Sequence, residues 1–231
     1  MIKLALVGKD ISHSKSPDTY RELIDFPFDY QLLDYADDSK IPALKQLFES
    51  VDGINITTPY KKHFLSQVEM DNEVQKIGAI NCIKKEDGIF KATNTDYLAV
   101  EVLLQKYLDE FKQLHIVMLG NGVMAKMSLL IFAKKKLSYQ HFFRAQDGDL
   151  SQVDYLAQVN PEGRQVLFIN SCSRSFVFNG VLDKSFLFWD YNYNFEPHLE
   201  SLPARCHRYD DGLELLKHQA IEALRFWNFS A

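Results

Sequence analysis

The sequence predicts an α/β fold made of two domains. Apolar runs and amphipathic stretches alternate from the first residues onward, as strands and helices do in such folds. The 231 residues are enough for two domains of about 100–150 residues each. A second strand–glycine–helix pattern begins at His115, long after the first strand at Ile2. We therefore expect one domain from residues 1–96 and 211–231, and a Rossmann-like domain from residues 97–210.

Composition excludes several classes of protein. Apolar residues make up 46% of the chain, which is ample material for a core and argues against a disordered chain. The net charge of −5 argues against nucleic acid as the main partner. Since no apolar run approaches the ~20 residues of a membrane span and the first residues carry no leader pattern, we expect a cytoplasmic protein without membrane contact. The three cysteines form no metal-ligand pattern, and no metal is expected.

The first half predicts five strands and four helices. Ser16-Pro17 and Thr58-Pro59 each combine a capping residue with a proline, a pattern typical of helix starts. The predicted strands are Ile2–Val7, Phe28–Leu32, Val51–Thr57 and the hairpin of Ala79–Lys84 with Ile89–Ala92. The predicted helices begin after the cap Ser16 (with Pro17 as the first helical residue), at Ser39 (ending at Glu49), after Thr58 (carrying Lys61) and at Asp71, the last ending at Gly78.

The second half repeats the alternation. Helices are predicted from Tyr97, over Ala125–Ala133 and over Asp211–Phe229, each on apolar residues at helical spacing. Strands are predicted over His115–Leu119, Tyr139–Phe143, Gln165–Ile169 and Phe186–Trp189.

A glycine-rich turn in the second half predicts a dinucleotide site. The run from Gly120 to Ala125 fits G-x-G-x-x-A between a strand and a helix, with Asn121 and Val123 at variable positions. Gly120 would make the tight turn, Gly122 would let the backbone approach a pyrophosphate, and Ala125 would allow close packing of the helix. The same pattern also fits a turn without a ligand.

Arg144 decides which dinucleotide we expect. It follows the strand after the glycine turn, where an NAD site usually carries an acidic residue. A cation there suits a 2′-phosphate, and therefore NADP. A solvated arginine at a strand end is the plain alternative, and Asp147 and Asp149 lie close behind it.

Polar residues cluster where strands of the first half meet helices, which is where α/β folds place ligands. Each cluster alone also fits a helix cap, a turn or a surface lysine. Their occurrence together with the glycine turn favours a ligand site. The clusters are Ser14–Ser16, Asn55–Lys61, Asn81 and Asn94–Asp96.

These clusters resemble motifs of the shikimate dehydrogenase family in the right order and over nearly the whole chain. The matching stretches are ISHSKSP at Ile11–Pro17, GINITTPYK at Gly53–Lys61, GAINC at Gly78–Cys82, NTD at Asn94–Asp96, and DGL at Asp211–Leu213 followed by Gln219-Ala220.

The resemblance implies an NADPH-dependent, reversible reduction of 3-dehydroshikimate to shikimate, in aromatic amino-acid synthesis. It assigns catalysis to Lys61 and Asp96. It gives the first domain the substrate and the second domain NADP, and a monomer or homodimer is expected. Substrate contacts would come from Ser14, Ser16, Asn55 (in support), Thr57, Asn81, Tyr193 and Gln219, and cofactor contacts from Gly120, Asn121, Gly122, Val123, Ala125 and Arg144.

The cofactor half departs from the family pattern more than the substrate half. Asn121, Val123 and Met124 replace small residues of the family's glycine loop, and of the family's N-R-T only Arg144 survives. The stretch between Arg144 and Asn170 is short, which implies a reduced Rossmann-like domain. Two alternatives stay open: a related quinate/shikimate dehydrogenase that uses NAD, and a non-catalytic ligand-binding relative.

Overall fold

A computed structural model of the protein describes residues 1–159 and 161–229, and it divides into two compact units. The first unit comprises residues 1–99 and 216–231, and the second comprises residues 100–215. Each unit is built on one five-stranded sheet covered by helices. The predicted α/β fold class, with a Rossmann-like second half, is confirmed.

The first sheet is mixed, with strand order β2-β1-β3-β4-β5. The strand β1 pairs in parallel with β2 and β3, whereas β3, β4 and β5 run antiparallel to one another. The strands are β1 (Ile2–Gly8), β2 (Phe28–Asp34), β3 (Gly53–Ile56), β4 (Cys82–Glu86) and β5 (Ile89–Thr93). This arrangement confirms the predicted strands and the hairpin.

Helices cover both faces of this sheet. They are α1 (Ser16–Leu23), α2 (Leu44–Leu47), α3 (Asn72–Ile77), the start of α4 (Thr95–Glu110) and the greater part of α9 (Leu213–Phe226). Leu4 packs in a cluster with Tyr20 and Trp227, whereas its neighbour Ala5 packs with Leu44 on the other face. Alternate residues of β1 therefore bury opposite faces of the sheet.

Three predictions about helices in this unit are wrong. Pro42 favours an extended Ile41, so the stretch 39–49 forms only a 3₁₀ turn at Asp38–Lys40 and the short α2. The α-helix predicted after Thr58 is not formed: the chain makes turns there, with Tyr60 N–H donating to Thr57 O and His63 N–H to Tyr60 O, before a 3₁₀ turn at Leu65–Gln67. Ser16 is the first helical residue rather than the cap, which is Lys15.

The second sheet is all-parallel, with strand order β10-β9-β8-β6-β7. Its strands are β6 (Leu114–Leu119), β7 (Tyr139–Phe142), β8 (Gln165–Asn170), β9 (Leu187–Asp190) and β10 (Arg208–Asp210). The helices of this unit beyond α4 are α5 (Val123–Lys135), α6 (Arg144–Asp147), α7 (Tyr155–Gln158) and α8 (Glu196–Ser201). The sequence did not predict α6, α7, α8 or β10, which are all six residues or shorter.

Within the described ranges, no helix is long and apolar enough to cross a membrane.

Trp227, which directly follows α9 (here called the closing helix), holds that helix against the first sheet. Its indole is 5% exposed, packs against Tyr20 at 5.9 Å between ring centroids, and donates to the carbonyl of Ile83 at 2.9 Å. Gly53 leaves room for it, because a Cβ there would lie 2.7 Å from the indole.

We expect Trp227→Ala to lower the free energy of unfolding of the first unit by about 3–5 kcal/mol, since it leaves a cavity and an unpaired carbonyl. Urea unfolding followed by circular dichroism measures the change. Ile89→Ala, at a position 43% exposed in the same unit, is the matched control and should change little. Equal effects of the two substitutions would contradict this account of the closing helix.

Candidate functional site

Lys61 and Asp96 form an ion pair in the first unit. The Nζ of Lys61 lies 2.6 Å from Oδ2 of Asp96, and the two side chains are only 18% and 15% exposed. The pair is therefore partly shielded from water while one side remains open. An ammonium has three donors, so Lys61 can bind Asp96 and still donate to a ligand.

Local hydrogen bonds hold the turn that carries Lys61. The hydroxyl of Tyr60 donates to the carbonyl of Tyr35 at 2.6 Å, and Ile80 N–H donates to the carbonyl of Lys61 at 2.8 Å. Tyr60 is buried and belongs to the core cluster of the first sheet. The backbone of Lys61 is therefore held in place, although Lys61 lies in a turn rather than in a helix or strand.

The start of α4 places Asp96. Asn94 is fully buried, donates to Ala79 O at 2.9 Å and accepts from Tyr97 N–H at 3.1 Å, so it caps the helix. Asp96 follows in the first turn, where the helix dipole favours a carboxylate. Both partners of the ion pair are thus positioned by backbone that is itself hydrogen-bonded.

Asn81 and Gln219 join this cluster through Thr95. The amide of Asn81 accepts from Thr95 N–H at 2.6 Å and donates to the Thr95 hydroxyl at 3.0 Å. That hydroxyl also donates to Oε1 of Gln219 at 3.3 Å. Residues separated by more than a hundred positions are therefore brought to the start of α4.

The side chain of Asn55 makes three hydrogen bonds within the protein. Its Oδ1 accepts from the hydroxyls of Tyr20 at 2.8 Å and Tyr30 at 2.9 Å, and its Nδ2 donates to the carbonyl of Asn81 at 3.3 Å. Burial raises the pKa of both tyrosines, so both phenols stay protonated as donors. This geometry suits Asn55 to a supporting role.

The serine loop and Thr57 complete the polar surface of the first unit. Ser14 donates to the hydroxyl of Ser16 at 3.2 Å and accepts from its N–H at 3.2 Å. Asp34 holds the start of the loop through Ile11 N–H at 2.9 Å. The Thr57 hydroxyl makes no hydrogen bond to any residue that the structure describes, which leaves it free for a ligand.

The structure gathers most of the predicted substrate residues in the first unit. Asn55 donates to the carbonyl of Asn81, and Thr95 joins the amide of Asn81 to Gln219. Asp96, the partner of Lys61, follows Thr95 in the chain. Tyr193 lies in the second unit, in the turn after β9.

Three residues that contact the site were not predicted from the sequence: Tyr20, Tyr30 and Asp34. The two tyrosines stand on apolar faces, where only their shared acceptor distinguishes them from ordinary core residues, and Asp34 ends a strand as many solvated carboxylates do. No pattern in the sequence marks any of the three.

The second unit contains a groove at the carboxyl ends of β6, β7 and β8, with a volume of about 1170 Å³. This is where open parallel sheets bind ligands. We call it the sheet-end groove. Its lining residues are Gly120–Gly122, Phe143–Ala145, Gly148–Ser151, Ser171–Ser173, Ser175–Val177 and Asn179.

Position 120 requires glycine because of its backbone conformation and the space around it. Its φ is +103°, and a Cβ would lie 2.7 Å from the Oγ of Ser171. The Nε2 of His141 donates to the carbonyl of Gly120 at 2.7 Å, and the hydroxyl of Ser171 donates to the carbonyl of Leu119 at 2.7 Å. The turn is therefore fixed from two sides.

Gly122 and the helix behind it are open towards a ligand. A Cβ at Gly122 would meet no protein atom within 4 Å, so the protein's own packing does not require glycine there. The helix α5 begins at Val123 with no side-chain cap, which leaves its first N–H groups for an anion. Ala125 is fully buried in packing, whereas Asn121 is exposed and lines the groove.

Arg144 and Asp149 are the two charged residues that line the sheet-end groove in the described part of the chain. Arg144 is exposed at the first position of α6. The pKa of Asp149 is lowered by hydrogen bonds from the backbone and side chain of Ser151, and further by the charge of Arg144. The groove therefore offers a cation together with a nearby anion.

Among the described residues, no three His, Cys, Asp or Glu side chains are grouped as metal ligands would be.

Comparison with known proteins finds similarity to shikimate dehydrogenases. The sequence model of the shikimate dehydrogenase substrate binding domain matches residues 6–83. A curated shikimate dehydrogenase (NADP(+)) from Caldicellulosiruptor bescii is 26% identical over 260 residues, which cover 98% of this chain and 89% of that protein.

Solved structures share the fold. Shikimate dehydrogenase from Aquifex aeolicus superposes with a TM-score of 0.74 at 24% identity, covering 99% of this chain and 92% of that one. Shikimate 5-dehydrogenase from Thermus thermophilus, in complex with NADP(H) and shikimate, gives a TM-score of 0.71 at 20% identity, covering 98% of this chain and 93% of that one.

Cys172 gives a chemical probe of the sheet-end groove. Burial, and secondarily the charge of Asp190, raise its pKa to about 11. At pH 8 its thiolate fraction is then roughly a hundredfold lower than that of a thiol with the ordinary pKa of 9.0.

We expect iodoacetamide to alkylate Cys172 slowly at pH 8, with a rate that keeps rising up to about pH 11. Mass spectrometry measures the rate, with Cys172→Ser as control, and a plateau below pH 9 would contradict the expectation.

Proposed function

Because the chain belongs to the shikimate dehydrogenase family, we propose that it catalyses the reversible, NADPH-dependent reduction of 3-dehydroshikimate to shikimate. The observation that carries this proposal is the partly buried ion pair of Lys61 and Asp96 within a cluster of hydroxyl and amide side chains. We assign substrate binding to the first unit and dinucleotide binding to the second.

Lys61 is the proton donor of the proposed reaction. As the ring carbonyl is reduced, its oxygen develops negative charge and takes a proton from Nζ; in the reverse direction the amine receives the hydroxyl proton. Asp96, at 2.6 Å, keeps Nζ in place and stabilises its positive charge. General acid–base help of this kind typically contributes 10²–10⁴-fold to the rate.

The other polar residues bind the substrate in this proposal. Hydroxyl and amide groups of Ser14, Ser16, Thr57, Asn81, Gln219 and Tyr193 hold the ring hydroxyls and the carboxylate, with Asn55 in support. A site that hydrogen-bonds hydroxyl groups rejects analogues that lack them, because its own polar groups are then left unpaired. This accounts for the number of amides and hydroxyls around one ion pair.

The sheet-end groove suits a dinucleotide. Gly122 leaves space where a side chain would meet no protein atom, and α5 presents free N–H groups beside it. These groups, with Gly120, Asn121 and Val123, would hold the pyrophosphate, while Ala125 packs the helix close to the sheet. A bound nicotinamide supplies or accepts the hydride.

Arg144 supports NADP as the cofactor. Its guanidinium lines the groove just after β7, where it would meet a 2′-phosphate, and the curated relative bears NADP(+) in its name. One observation favours the alternative, a quinate or shikimate dehydrogenase that uses NAD. Asp149 lines the same part of the groove, and its charge opposes a phosphate.

A redox assay tests the proposal. The purified protein is mixed with NADP⁺ and shikimate, and formation of the reduced nicotinamide is followed by its absorbance. Repeating it with NAD⁺ and with quinate separates the alternatives. We expect the highest kcat/KM for NADP⁺ with shikimate. No turnover with any of the four combinations would instead indicate a non-catalytic ligand-binding protein.

We expect Lys61→Ala to lower kcat by about 10²–10⁴-fold with little change in KM, because it removes the proton donor and leaves the hydroxyl and amide contacts in place. Steady-state kinetics measure both constants. Lys62→Ala, at the exposed neighbouring lysine, is the matched control and should keep normal turnover. Near-normal kcat in Lys61→Ala would remove Lys61 from its proposed role.

We expect Arg144→Ala to weaken NADP⁺ binding at least about tenfold more than NAD⁺ binding, since only NADP⁺ carries the 2′-phosphate. Isothermal titration calorimetry with both dinucleotides measures the ratio. Arg164→Ala, at an arginine outside the groove, should leave the ratio unchanged. Equal losses for both dinucleotides would show that Arg144 does not read the phosphate.

A further inference from the structure

Arg174 binds the turn that carries Tyr193. One guanidinium nitrogen donates to the carbonyl of Tyr193 at 2.6 Å, and another donates to the carbonyl of Asn194 at 2.9 Å. The same guanidinium lies over the ring of Phe195, 5.3 Å from its centroid. One exposed side chain thus contacts three consecutive residues.

Arg174 belongs to a loop that forms part of the sheet-end groove. Its neighbours Ser173 and Ser175 both line the groove. A second tie joins the two segments, because the side-chain amide of Asn192 donates to the carbonyl of Cys172 at 3.1 Å. The groove loop, residues 171–177, and the turn, residues 192–195, are therefore connected at two points.

The far end of the turn is anchored in the core. Phe195 is 7% exposed and packs edge-on against His198 at 4.6 Å. His198 lies 2.5 Å from Asp190, which also accepts from Asn192 N–H at 2.9 Å. The two ends of the turn are thus fixed by Asp190 and by Phe195.

Between these anchors the backbone makes a left-handed turn. Asn194 has a φ of +48°, in the left-handed region that asparagine adopts more readily than most residues other than glycine. Arg174 binds the carbonyls on either side of the N–Cα bond of Asn194. The guanidinium therefore stabilises the conformation that directs the side chain of Tyr193.

The Tyr193 side chain is left available for a ligand. It is half-buried, and its hydroxyl makes no hydrogen bond to the residues that the structure describes. Burial raises its pKa and the charge of Arg174 opposes that rise, so the phenol is a protonated donor at neutral pH.

We propose that Arg174 is a positioning residue that holds Tyr193 in its ligand-binding conformation and links it to the groove loop. This rests on the proposed function, in which Tyr193 contacts the substrate. Lysine cannot replace Arg174, since an ammonium lacks the planar fork that spans two carbonyls and lies flat on a ring.

Hydrogen exchange tests the positioning without reference to activity. In the ligand-free protein we expect the amides of residues 192–195 to exchange about tenfold faster in Arg174→Ala and in Arg174→Lys than in the wild type. Arg225→Ala, at a surface arginine paired with Glu222, is the control and should match the wild type. Unchanged exchange at 192–195 in Arg174→Ala would overturn the proposal, whatever the substrate is.

A double-mutant cycle tests the role in substrate binding. Arg174→Ala should raise KM for shikimate about tenfold while kcat changes less than about threefold, and in a Tyr193→Phe background the same substitution should change KM less than about twofold. An equal effect in both backgrounds would show that Arg174 does not act through Tyr193. Absence of turnover in the wild type would refute the proposed function instead, and the exchange experiment would still decide the role of Arg174.

Discussion

The ion pair between Lys61 and Asp96 sets the main constraint on the first unit. Its atoms lie 2.6 Å apart although the residues are 35 positions apart in the chain. A partly buried charge that loses its partner is costly, so each residue must be held by its own backbone. The turn after β3 holds Lys61 through Ile80, and the buried cap Asn94 holds the start of α4. The mixed sheet brings these segments together by pairing β3 with β4 and β4 with β5.

The second unit forms the sheet-end groove with only short elements described between β7 and β8. Between β7 and β8 the described residues form α6, α7 and a 3₁₀ turn at Leu150–Gln152, and β7 is an edge strand of the sheet that the structure describes. The sheet-end groove lies at strand ends and is lined by the glycine turn, the segment after β7 and the loop after β8. His141 and Ser171 hold the turn directly, so it does not depend on a longer domain.

Local signals in the sequence were sufficient for most of the fold. Asp71 and Gly78 bracket α3 as a cap and a left-handed end, and the strands read as apolar runs. The helix prediction failed where a proline at position 42 broke a periodic pattern, and where Thr58-Pro59 imitated a helix start at a place that forms turns. Tyr20 and Tyr30 could not be predicted as partners of Asn55, because a buried tyrosine and a site tyrosine follow the same periodicity. Arg174 belongs to no pattern, since its role depends on carbonyls some twenty residues away that only the folded chain brings near.

A crystal structure of the protein with shikimate and NADP⁺ would show whether Lys61 reaches the reacting oxygen. If Lys61 is the proton donor, its Nζ lies within about 2.6–3.2 Å of a ring hydroxyl oxygen and keeps its bond to Asp96. A bound shikimate whose hydroxyl groups lie beyond the reach of Lys61, or a Lys61 that has left Asp96 and turned to solvent, would contradict it.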